Sequence, residues 1–531
     1  MPRPPLAIPR ESLTFPLRAA ARRFPEKVAV ITPETGGQAT TFRSLDEQSS
    51  ALAAALAGAG IEPGDRVALW MKNSLEYILA FYGILKAGAV VVPISTHYGH
   101  REFLHQVNAT QATCLIAPEE LIASLGAPLN GRTPIRLVIS AGTDEPATGA
   151  IAFTALLAGE ERIDRSLGID PERTLAVLPF SSGTTGLAKG VMLTHANLLS
   201  NLYQLGNAHE VSDRDLFLNQ LPFFHIYGMT VLMGNAIMAG ATQVIASRFR
   251  PLDEFLDLFA AYRPTLFFTV PLVVQEFCHH PRVPAMDWSR LRYINTGGAP
   301  LSPDLQQRFT RLTGVPVMQG YGLTESSPGT HVNPPGGIRL GTIGIAVANT
   351  EDRIVDAATG RELAANEVGE LWVRGPQVMQ GYYRDPEATE VTLVDGWLRT
   401  GDLAKKDADG YVTIVDRLKE LIKTSGYQVA PAEIEHLLVG HPDIQDAAVI
   451  GAPHPDFGEV PVAYVVLRPG SSLSPEAIVA YAAEGVAKYK RLARVVTTTA
   501  IPRSPSGKIL RRVLKENLCA PPPAGVARSG S

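Results

Sequence analysis

The sequence predicts an α/β fold with a large N-terminal domain and a small C-terminal domain. Its 531 residues exceed the roughly 250–300 residues at which a single hydrophobic core stops growing, so we expect more than one domain. The first 400 residues alternate short apolar runs with helical patterns, which is typical of largely parallel sheets covered by helices. The pattern changes to antiparallel segments with turn residues near Glu351, and changes again near Asp416. We therefore expect α/β subdomains, a β-barrel-like module and then a smaller α+β domain.

The same periodicities assign individual elements. Helical patterns predict helices at residues 75–86, near Arg101, from about Thr194, and at residues 431–439. Buried strands are predicted at residues 67–70, 89–94, 113–116, 135–139, 175–178, 265–270 and 293–296. Strands of the antiparallel module are predicted at residues 369–374 and 411–414, and further strands of the last segment at residues 447–451 and 460–467.

One apolar segment has the length of a membrane-spanning helix. Residues 226–246 carry no charged side chain over 21 positions, and a spanning helix needs about 20. Gly228, Asn235, Gly240 and Gln243 interrupt the segment, and no basic flank precedes it. We therefore expect a buried core helix and no integral membrane segment, while contact with a membrane surface stays open.

Composition excludes several protein classes. With 45% hydrophobic and 19% charged residues, the chain is too apolar for a disordered protein and too polar for a polytopic membrane protein. Its three cysteines, Cys114, Cys278 and Cys519, are too far apart for a disulfide framework or a zinc site. The first ten residues lack the apolar run of a secretory signal. A reduced, cytoplasmic setting is expected.

Charge is distributed unevenly along the chain. The net charge of −4 gives no overall attraction to nucleic acid or to an anionic membrane. Residues 417–531, however, hold 14 basic and 10 acidic residues, against 34 and 42 in residues 1–416. Nine of the basic residues lie between Lys488 and Lys515, where no acidic residue occurs. This run is a solvated basic face or a surface over an anionic ligand; nucleic-acid binding is disfavoured because aromatic residues are nearly absent from it.

A glycine-rich loop follows the predicted strand at residues 175–178. Residues 181–190 read SSGTTGLAKG. Glycines allow backbone N–H groups to point at a phosphate, the hydroxyls add donors, and Lys189 adds positive charge. The nucleotide-binding pattern G-x-x-x-x-G-K-[ST] is matched neither here nor at Lys508, which is followed by Ile509. We predict a phosphate-binding loop of another kind, with a plain surface turn as the alternative.

Seven sequence blocks, in one order, resemble the adenylate-forming superfamily of acyl-CoA synthetases, 4-coumarate:CoA ligases, beetle luciferases and peptide-synthetase adenylation domains. The blocks are SSGTTGLAKGVMLTH (181–195), LPFFHIYG (221–228), NTGGAPLS (295–302), QGYGLTESS (319–327), GWLRTGD (396–402), VDRLKELIKTSGYQVAPAEIE (415–435) and PRSPSGKILRR (502–512). The resemblance covers residues 10–518 and is greatest to bacterial medium- and long-chain fatty-acyl-CoA synthetases.

The resemblance implies two half-reactions in one site. A carboxylate attacks the α-phosphate of ATP, bound with Mg²⁺, to give an acyl-adenylate and pyrophosphate, and the thiol of the co-substrate CoA then displaces AMP. A carboxylic acid is already ionised at neutral pH, so the first step needs no strong general base. It needs neutralised phosphate charge and in-line positioning.

The resemblance also implies a nucleotide site. The loop at residues 181–190 grips the β- and γ-phosphates, residues 297–299 and Tyr321 enclose the adenine, and Asp402 with Arg417 binds the ribose. The implied nucleotide-binding residues are Ser181, Ser182, Gly183, Thr184, Thr185, Gly186, Lys189, Gly297, Gly298, Ala299, Gln319, Gly320, Tyr321, Gly322, Asp402, Arg417, Lys423 and Gln428.

Catalytic roles follow from the same motifs. Lys508 matches the lysine that bridges the substrate carboxylate and the α-phosphate, Thr324 a donor to that phosphate, and Glu325 the Mg²⁺ ligand. His225 matches the catalytic-site histidine that orients the carboxylate. Lys419 matches the hinge of a mobile lid that presents Ser425, Gly426 and Tyr427 to CoA. The implied division is a large AMP-binding domain (1–416), the lid (417–518) and a disordered tail (519–531).

The acyl pocket gives a first indication of the substrate. Its implied residues are His225, Tyr227, Gly298 and Gly322. Acetate and propionate ligases place Trp at the position of Gly322, and coumarate ligases carry Lys where this chain has Pro303. A medium- or long-chain fatty acid is therefore the leading substrate class, with an aryl acid as the alternative.

Three other activities stay open at this point. The chain could load an acyl group onto a carrier protein in trans, it could be a catalytically silent nucleotide- or acyl-binding regulator, or, remotely, it could catalyse a luciferase-like oxidation. The sequence makes no prediction of the oligomeric state.

Overall fold

The computed structural model describes residues 3–125, 133–147, 149–181, 188–246, 249, 251–418, 420–424, 427–455, 457–504 and 508–519. The chain divides into two compact units. The first comprises Met1–Arg353, Trp372–Thr400 and Asp407–Val412, and the second Ile354–Leu371, Gly401–Lys406 and Thr413–Ser531. The sequence-based division at residue 416 stays a prediction, as does the disordered tail. Cys519 ends a helix, and residues 520–531 lie outside the described part of the chain.

Two large sheets organise the first unit. One contains, in order, Ile345–Ala346, Gly329–Val332, Val317–Gly322, Tyr293–Thr296, Leu266–Thr269, Leu216–Asn219, Thr242–Ile245, Val28–Thr32 and Gln38–Thr41. The other contains Gly381–Tyr382, Lys189–Thr194, Leu175–Val177, Val90–Pro93, Arg66–Leu69, Cys114–Pro118, Leu137–Ala141 and Ile151–Ala152, with Phe180–Ser181 paired to Lys189–Thr194. The middle strands of both sheets are parallel, and each of the seven predicted buried strands is present among them within a few residues.

Helices cover these sheets. The α-helices of the first unit are Phe15–Arg23, Phe42–Gly58, Leu75–Lys86, His100–Thr110, Glu119–Leu125, Phe153–Leu157, His195–Ala208, Asn235–Ala239, Leu252–Tyr262, Pro271–His279, Pro303–Thr313 and Pro386–Thr392. Short 3₁₀ turns are Pro33–Thr35, Val283–Ala285 and Thr324–Ser326. Leu75–Lys86 matches its prediction because the signal is local: the Ser74 hydroxyl caps it by accepting from the Tyr77 amide at 3.1 Å, and an apolar run follows.

The segment at residues 226–246 corrects one prediction. A π-helix, Tyr227–Gly234, continues into the α-helix Asn235–Ala239, which ends where Gly240 adopts φ +69°. Thr242–Ile245 is then a strand between Leu216–Asn219 and Val28–Thr32. The prediction of one helix over all 21 residues is therefore wrong after Ala239, because glycine ends the helix and the sheet supplies partners for the next residues. Among the described residues, no helix is long and apolar enough to cross a membrane.

The remaining strands include those of the predicted β module. They are Glu351–Val355, Gly369–Arg374, Leu393–Val394, Trp397–Lys406 and Val412–Arg417. In the second unit, the strands Tyr427–Val429, Ile422–Thr424, Gly458–Leu467 and Ile444–His454 form a sheet in that order, and Arg494–Thr497 pairs with Gly458–Leu467. Its helices are Pro431–Val439, Pro475–Gly485 and Arg511–Cys519, with a 3₁₀ turn at Lys488–Lys490. Pro431–Val439 packs on the sheet through Ile434 and Leu438, both fully buried.

Candidate active site

The two ends of the glycine-rich loop are fixed by strand pairing. Ser181 ends the strand Phe180–Ser181, and Lys189 opens the strand Lys189–Thr194 directly opposite it. Lys189 is predicted to lie in the loop, but it lies in a strand that precedes the predicted helix. That helix, His195–Ala208, begins with a capping box in which Thr194 and Asn197 bond each other's backbone amides. The predicted residues Ser182, Gly183, Thr184, Thr185 and Gly186 lie outside the described part of the chain.

Lys189 is held by two side chains from one short segment. Its Nζ lies 2.9 Å from Oδ2 of Asp385 and 5.4 Å from the centroid of the Tyr382 ring. The hydrogen bond from Lys189 lowers the pKa of Asp385 below its ordinary value. The other Asp385 oxygen accepts from the amide of Ala388 at 3.0 Å and so caps the helix Pro386–Thr392. Asp385 thus joins the lysine to a helix N-terminus.

Glu325 lies in the turn Thr324–Ser326, which follows the strand Val317–Gly322. The hydroxyl of Tyr382 donates to Oε1 of Glu325 at 2.9 Å, and the amide of Met379 donates to the Glu325 carbonyl oxygen at 2.9 Å. Burial, together with the Glu325 carboxylate, raises the pKa of Tyr382, so the phenol stays a hydrogen-bond donor. One segment of chain therefore contacts both Glu325 and Lys189.

The carboxylate of Glu325 is suited to a magnesium ion whose other ligands are phosphate oxygens and waters. Across the described ranges, no three His, Cys, Asp or Glu side chains are grouped so as to hold a metal ion by themselves. Mg²⁺ commonly binds through one or two carboxylates plus phosphates and waters. Glu325, whose Oε1 accepts from the Tyr382 hydroxyl, could supply one such carboxylate.

The predicted adenine walls lie at one sheet edge. Gly297 follows the strand Tyr293–Thr296, and Tyr321 is in the neighbouring parallel strand Val317–Gly322. Parallel strands end at the same edge, which is where open α/β sheets bind ligands. Gln319 ties the two elements together, since its Oε1 accepts from the Leu301 amide at 3.0 Å.

At three positions of this sheet edge, the local structure explains why the residue is glycine. Gly298 adopts φ +82°, a conformation that disfavours other residues. A Cβ atom at Gly297 would lie 3.3 Å from the Tyr227 ring. A Cβ atom at Gly322 would overlap the carbonyl oxygen of Pro328. Gly320 and Ala299 lie in the same two segments.

His225 and Tyr227 stand at the start of the π-helix. The Tyr227 amide donates to Nδ1 of His225 at 3.2 Å, and the Tyr227 hydroxyl donates to the Thr269 carbonyl oxygen at 3.3 Å. Tyr227 is 9% exposed and also accepts from Asn295 Nδ2. The apolar side chains that follow it are buried: Met229, Val231, Leu232, Met233 and Ile237. A π-helix is often found at functional sites, and this one places His225 beside a packed apolar segment.

The predicted ribose pair is formed in the second unit. Nε of Arg417 lies 3.1 Å from Oδ1 of Asp402, whose side chain is 4% exposed. Asp402 lies within the strand Trp397–Lys406, and Arg417 ends the strand Val412–Arg417. The Leu418 amide donates to the Gly401 carbonyl oxygen at 2.8 Å and holds the two strands together at this point.

Lys508 lies in the second unit and is hydrogen-bonded to Ser504. Its amide donates to the Ser504 hydroxyl at 3.1 Å, and its carbonyl oxygen accepts from the Ser504 amide at 2.8 Å. Lys423 pairs with Gln428 across a two-stranded ladder, and the Tyr427 ring stacks on Tyr489 at 4.5 Å. The predicted hinge residue Lys419 and the CoA-binding residues Ser425 and Gly426 lie outside the described residues.

Comparison with known proteins decides the family. Residues 17–383 match the AMP-binding enzyme family, and residues 433–508 match the AMP-binding enzyme C-terminal domain. The chain belongs to the AMP-binding enzymes.

Relatives of this AMP-binding enzyme cover nearly the whole chain. A 4-coumarate–CoA ligase-like protein (number 9) from Oryza sativa subsp. japonica is 39% identical over 97% of this chain and 94% of its own. The anthranilate CoA ligase AuaEII in complex with anthranoyl-AMP superposes with a TM-score of 0.87, at 27% identity, over 96% of this chain and 98% of its own. A fatty acyl CoA synthetase from Mycobacterium tuberculosis superposes with a TM-score of 0.75, at 30% identity, over 95% and 98%.

These similarities confirm the predicted family and the α/β fold with a large N-terminal and a small C-terminal domain. They also confirm the expectation of an AMP-forming acid–CoA ligase, because the relatives are CoA ligases. The names of these relatives specify different acids: 4-coumarate, anthranilate and fatty acids.

Three residues of this AMP-binding enzyme make contacts that its sequence does not predict: Tyr382, Asp385 and Arg511. Asp385 before a proline is a helix-start signal, but nothing in that signal identifies Lys189 as its partner. Arg511 Nη2 lies 2.6 Å from Glu435 and Nη1 lies 3.2 Å from Glu420, with all three side chains mostly buried. The charges were visible in the sequence, but their pairing was not.

Proposed function

We propose that the enzyme activates a carboxylic acid as an acyl-adenylate and transfers the acyl group to CoA, using ATP and Mg²⁺. The observation that carries this proposal is the joint placement of Glu325, Tyr382 and Lys189 beside the paired ends of the glycine-rich loop. A carboxylate suited to a hard cation and an ammonium suited to phosphate thus both contact the side chain of Tyr382.

The other predicted site residues have proposed roles in binding ribose, phosphate or the acid, each consistent with the chemistry of its side chain. The Asp402 carboxylate accepts hydrogen bonds from ribose hydroxyls, with Arg417 paired to it through the guanidinium. Lys508 neutralises the charge that develops as a carboxylate approaches the α-phosphate, and Thr324 donates to the same phosphate. His225 orients the acid. The metal, when bound, reduces the negative charge on the phosphates.

For the acid we propose a medium- or long-chain fatty acid. Gly322 supports a substrate longer than three carbons, because this chain has no side chain at the position where the short-chain ligases carry a tryptophan. Pro303 supports an aliphatic acid over a hydroxycinnamate, because it is the first residue of a helix and carries no cation for a phenol.

An aryl acid is the second candidate. The observation that favours it is the 39% identity to the rice 4-coumarate–CoA ligase-like protein over nearly the whole chain. Apolar residues beside His225 would pack against an aromatic ring as readily as against an alkyl chain.

A substrate panel tests both proposals. Purified enzyme is given ATP, Mg²⁺, CoA and one acid at a time, from acetate to octadecanoate and including benzoate, anthranilate and 4-coumarate, and AMP and acyl-CoA are measured. We expect fatty acids beyond three carbons to give both products. AMP with aryl acids alone would replace the fatty-acid proposal by the aryl one. Adenylate without acyl-CoA would favour carrier-protein loading, and no acid-dependent ATP–pyrophosphate exchange would favour a silent regulator.

A further inference from the structure

Tyr382 is fixed by backbone pairing next to the strand that carries Lys189. In the strand register Tyr382 faces Val191, and the Tyr383 amide donates to the Gly190 carbonyl oxygen at 2.8 Å. The Tyr382 amide in turn donates to the Thr389 hydroxyl at 2.9 Å. The phenol therefore has little freedom to move relative to the Lys189 backbone.

The same phenol contacts two groups of opposite charge in different ways. Its hydroxyl donates to Oε1 of Glu325, and its ring lies below the Lys189 ammonium. A carboxylate with one oxygen in a hydrogen bond is held in one orientation and presents its second oxygen. A cation over a ring face is held by the ring quadrupole. The two contacts use different parts of one side chain, so they can be removed separately.

We propose that Tyr382 is a positioning residue that sets the distance and orientation between Glu325 and Lys189, and so prepares the chain to bind a metal-bound triphosphate. This inference rests on the proposed function, in which Glu325 holds the metal and Lys189 the terminal phosphates. Asp385 supports the arrangement because its Oδ2 lies 2.9 Å from Nζ of Lys189.

Two variants separate the contacts. Tyr382→Phe keeps the ring and removes only the hydroxyl that orients Glu325. Tyr382→Leu removes both the hydroxyl and the ring. The control is Tyr383→Phe, which deletes a hydroxyl from the adjacent residue, whose ring lies against Arg384. Binding of a non-hydrolysable ATP analogue is measured by calorimetry with and without Mg²⁺, and each half-reaction is followed separately.

We expect Tyr382→Phe to weaken binding of the Mg²⁺-bound analogue and to raise the Mg²⁺ requirement of adenylation by about tenfold, the usual effect of losing a residue that orients a metal ligand. Binding without Mg²⁺ and thiolation of a preformed acyl-adenylate should not change. Tyr382→Leu should also weaken metal-free binding, because the Lys189 ammonium loses its contact with the aromatic ring. Tyr383→Phe should match the wild type.

Three results would overturn the proposal. They are an unchanged Mg²⁺ requirement in Tyr382→Phe, equal losses with and without Mg²⁺ in that variant, and equal losses in both half-reactions. Failure of the wild type to bind the analogue at all is a separate result, which would overturn the proposed function and this inference with it.

Discussion

The backbone amide of Leu13 donates a hydrogen bond of 3.0 Å to Nδ1 of His195, the first residue of helix His195–Ala208. A ring nitrogen accepts such a bond only when it carries no proton. Burial lowers the pKa of His195 to about 4. The N-terminal segment is thus attached to the helix His195–Ala208 through a neutral histidine.

This attachment predicts loss of stability in acid. The pKa of His195 in the folded chain is about 4, below the ordinary value near 6.5. Between pH 6.5 and pH 4, His195 is therefore protonated in the unfolded chain but neutral in the folded chain. The free energy of unfolding is therefore not reduced by His195 above pH 6.5, and it decreases by on the order of 3 kcal/mol as the pH falls to 4. Urea unfolding followed by tryptophan fluorescence measures this, because Trp70, Trp288, Trp372 and Trp397 all lie in the first unit.

The matched variant is His195→Asn, whose side-chain oxygen can accept from Leu13 without titrating. Its free energy of unfolding should decrease less between pH 7 and pH 4 than that of the wild type. Identical pH dependence in the two proteins would contradict the prediction.

Gly322→Ala should destabilise the first unit by about 1–3 kcal/mol, the usual cost of forcing an extra group into a packed position. The added methyl would overlap the Pro328 carbonyl oxygen, which is backbone and cannot rotate away. Gly336→Ala is the control, since a Cβ atom there has nothing within 4 Å. Denaturant unfolding of both variants measures the difference, and equal midpoints would show that the sheet edge adjusts freely.

Arg511→Met should destabilise the second unit by about 3–5 kcal/mol, because it leaves the buried carboxylates of Glu420 and Glu435 without their cation. Hydrogen exchange in the strand Gly458–Leu467 reports on this unit. Arg512→Met is the control: Arg512 is 82% exposed and lies 3.7 Å from Glu516, so we expect a change below about 0.5 kcal/mol. Adding Glu435→Gln to Arg511→Met should restore part of the loss, and no restoration would contradict the ion-pair explanation.

Lys508→Ala should slow acyl-adenylate formation by at least about 100-fold, the usual cost of removing a group that stabilises developing charge. Thiolation of a preformed acyl-adenylate should be largely retained. Lys515→Ala, in the same basic run and 50% exposed, tests whether general positive charge suffices. Equal loss of both half-reactions in Lys508→Ala, or an equal effect of Lys515→Ala, would refute a specific role for Lys508.

Local signals explain which parts of the fold could be predicted. The helix Leu75–Lys86 and the strand Tyr293–Thr296 follow from caps and apolar runs within their own residues. Residues 242–245 form a strand because of partners more than twenty residues away along the chain, which no local pattern encodes. The strand at Lys189 was not predicted either, because its pairing with Phe180–Ser181 and Gly381–Tyr382 is a property of the folded chain.

The candidate site likewise contains residues that the sequence identifies and contacts that only the folded chain shows. Lys189, Glu325, Asp402 and Arg417 could be found because each lies in a recognisable block. The hydrogen bond from Tyr382 to Glu325 joins positions 57 residues apart, and that from Arg511 to Glu435 joins positions 76 apart. Such contacts depend on how the strands pair, so they become visible only in the folded chain.

Recombination between homologues must take account of the path of the chain. The second unit consists of Ile354–Leu371, Gly401–Lys406 and Thr413–Ser531, so it cannot be exchanged as one cassette. A crossover at residue 417 would take Arg417 from one parent and its ion-pair partner Asp402 from the other. Chimeras joined there will keep this pair only when the parents agree at both positions, whereas a crossover before residue 354 inherits both residues from a single parent.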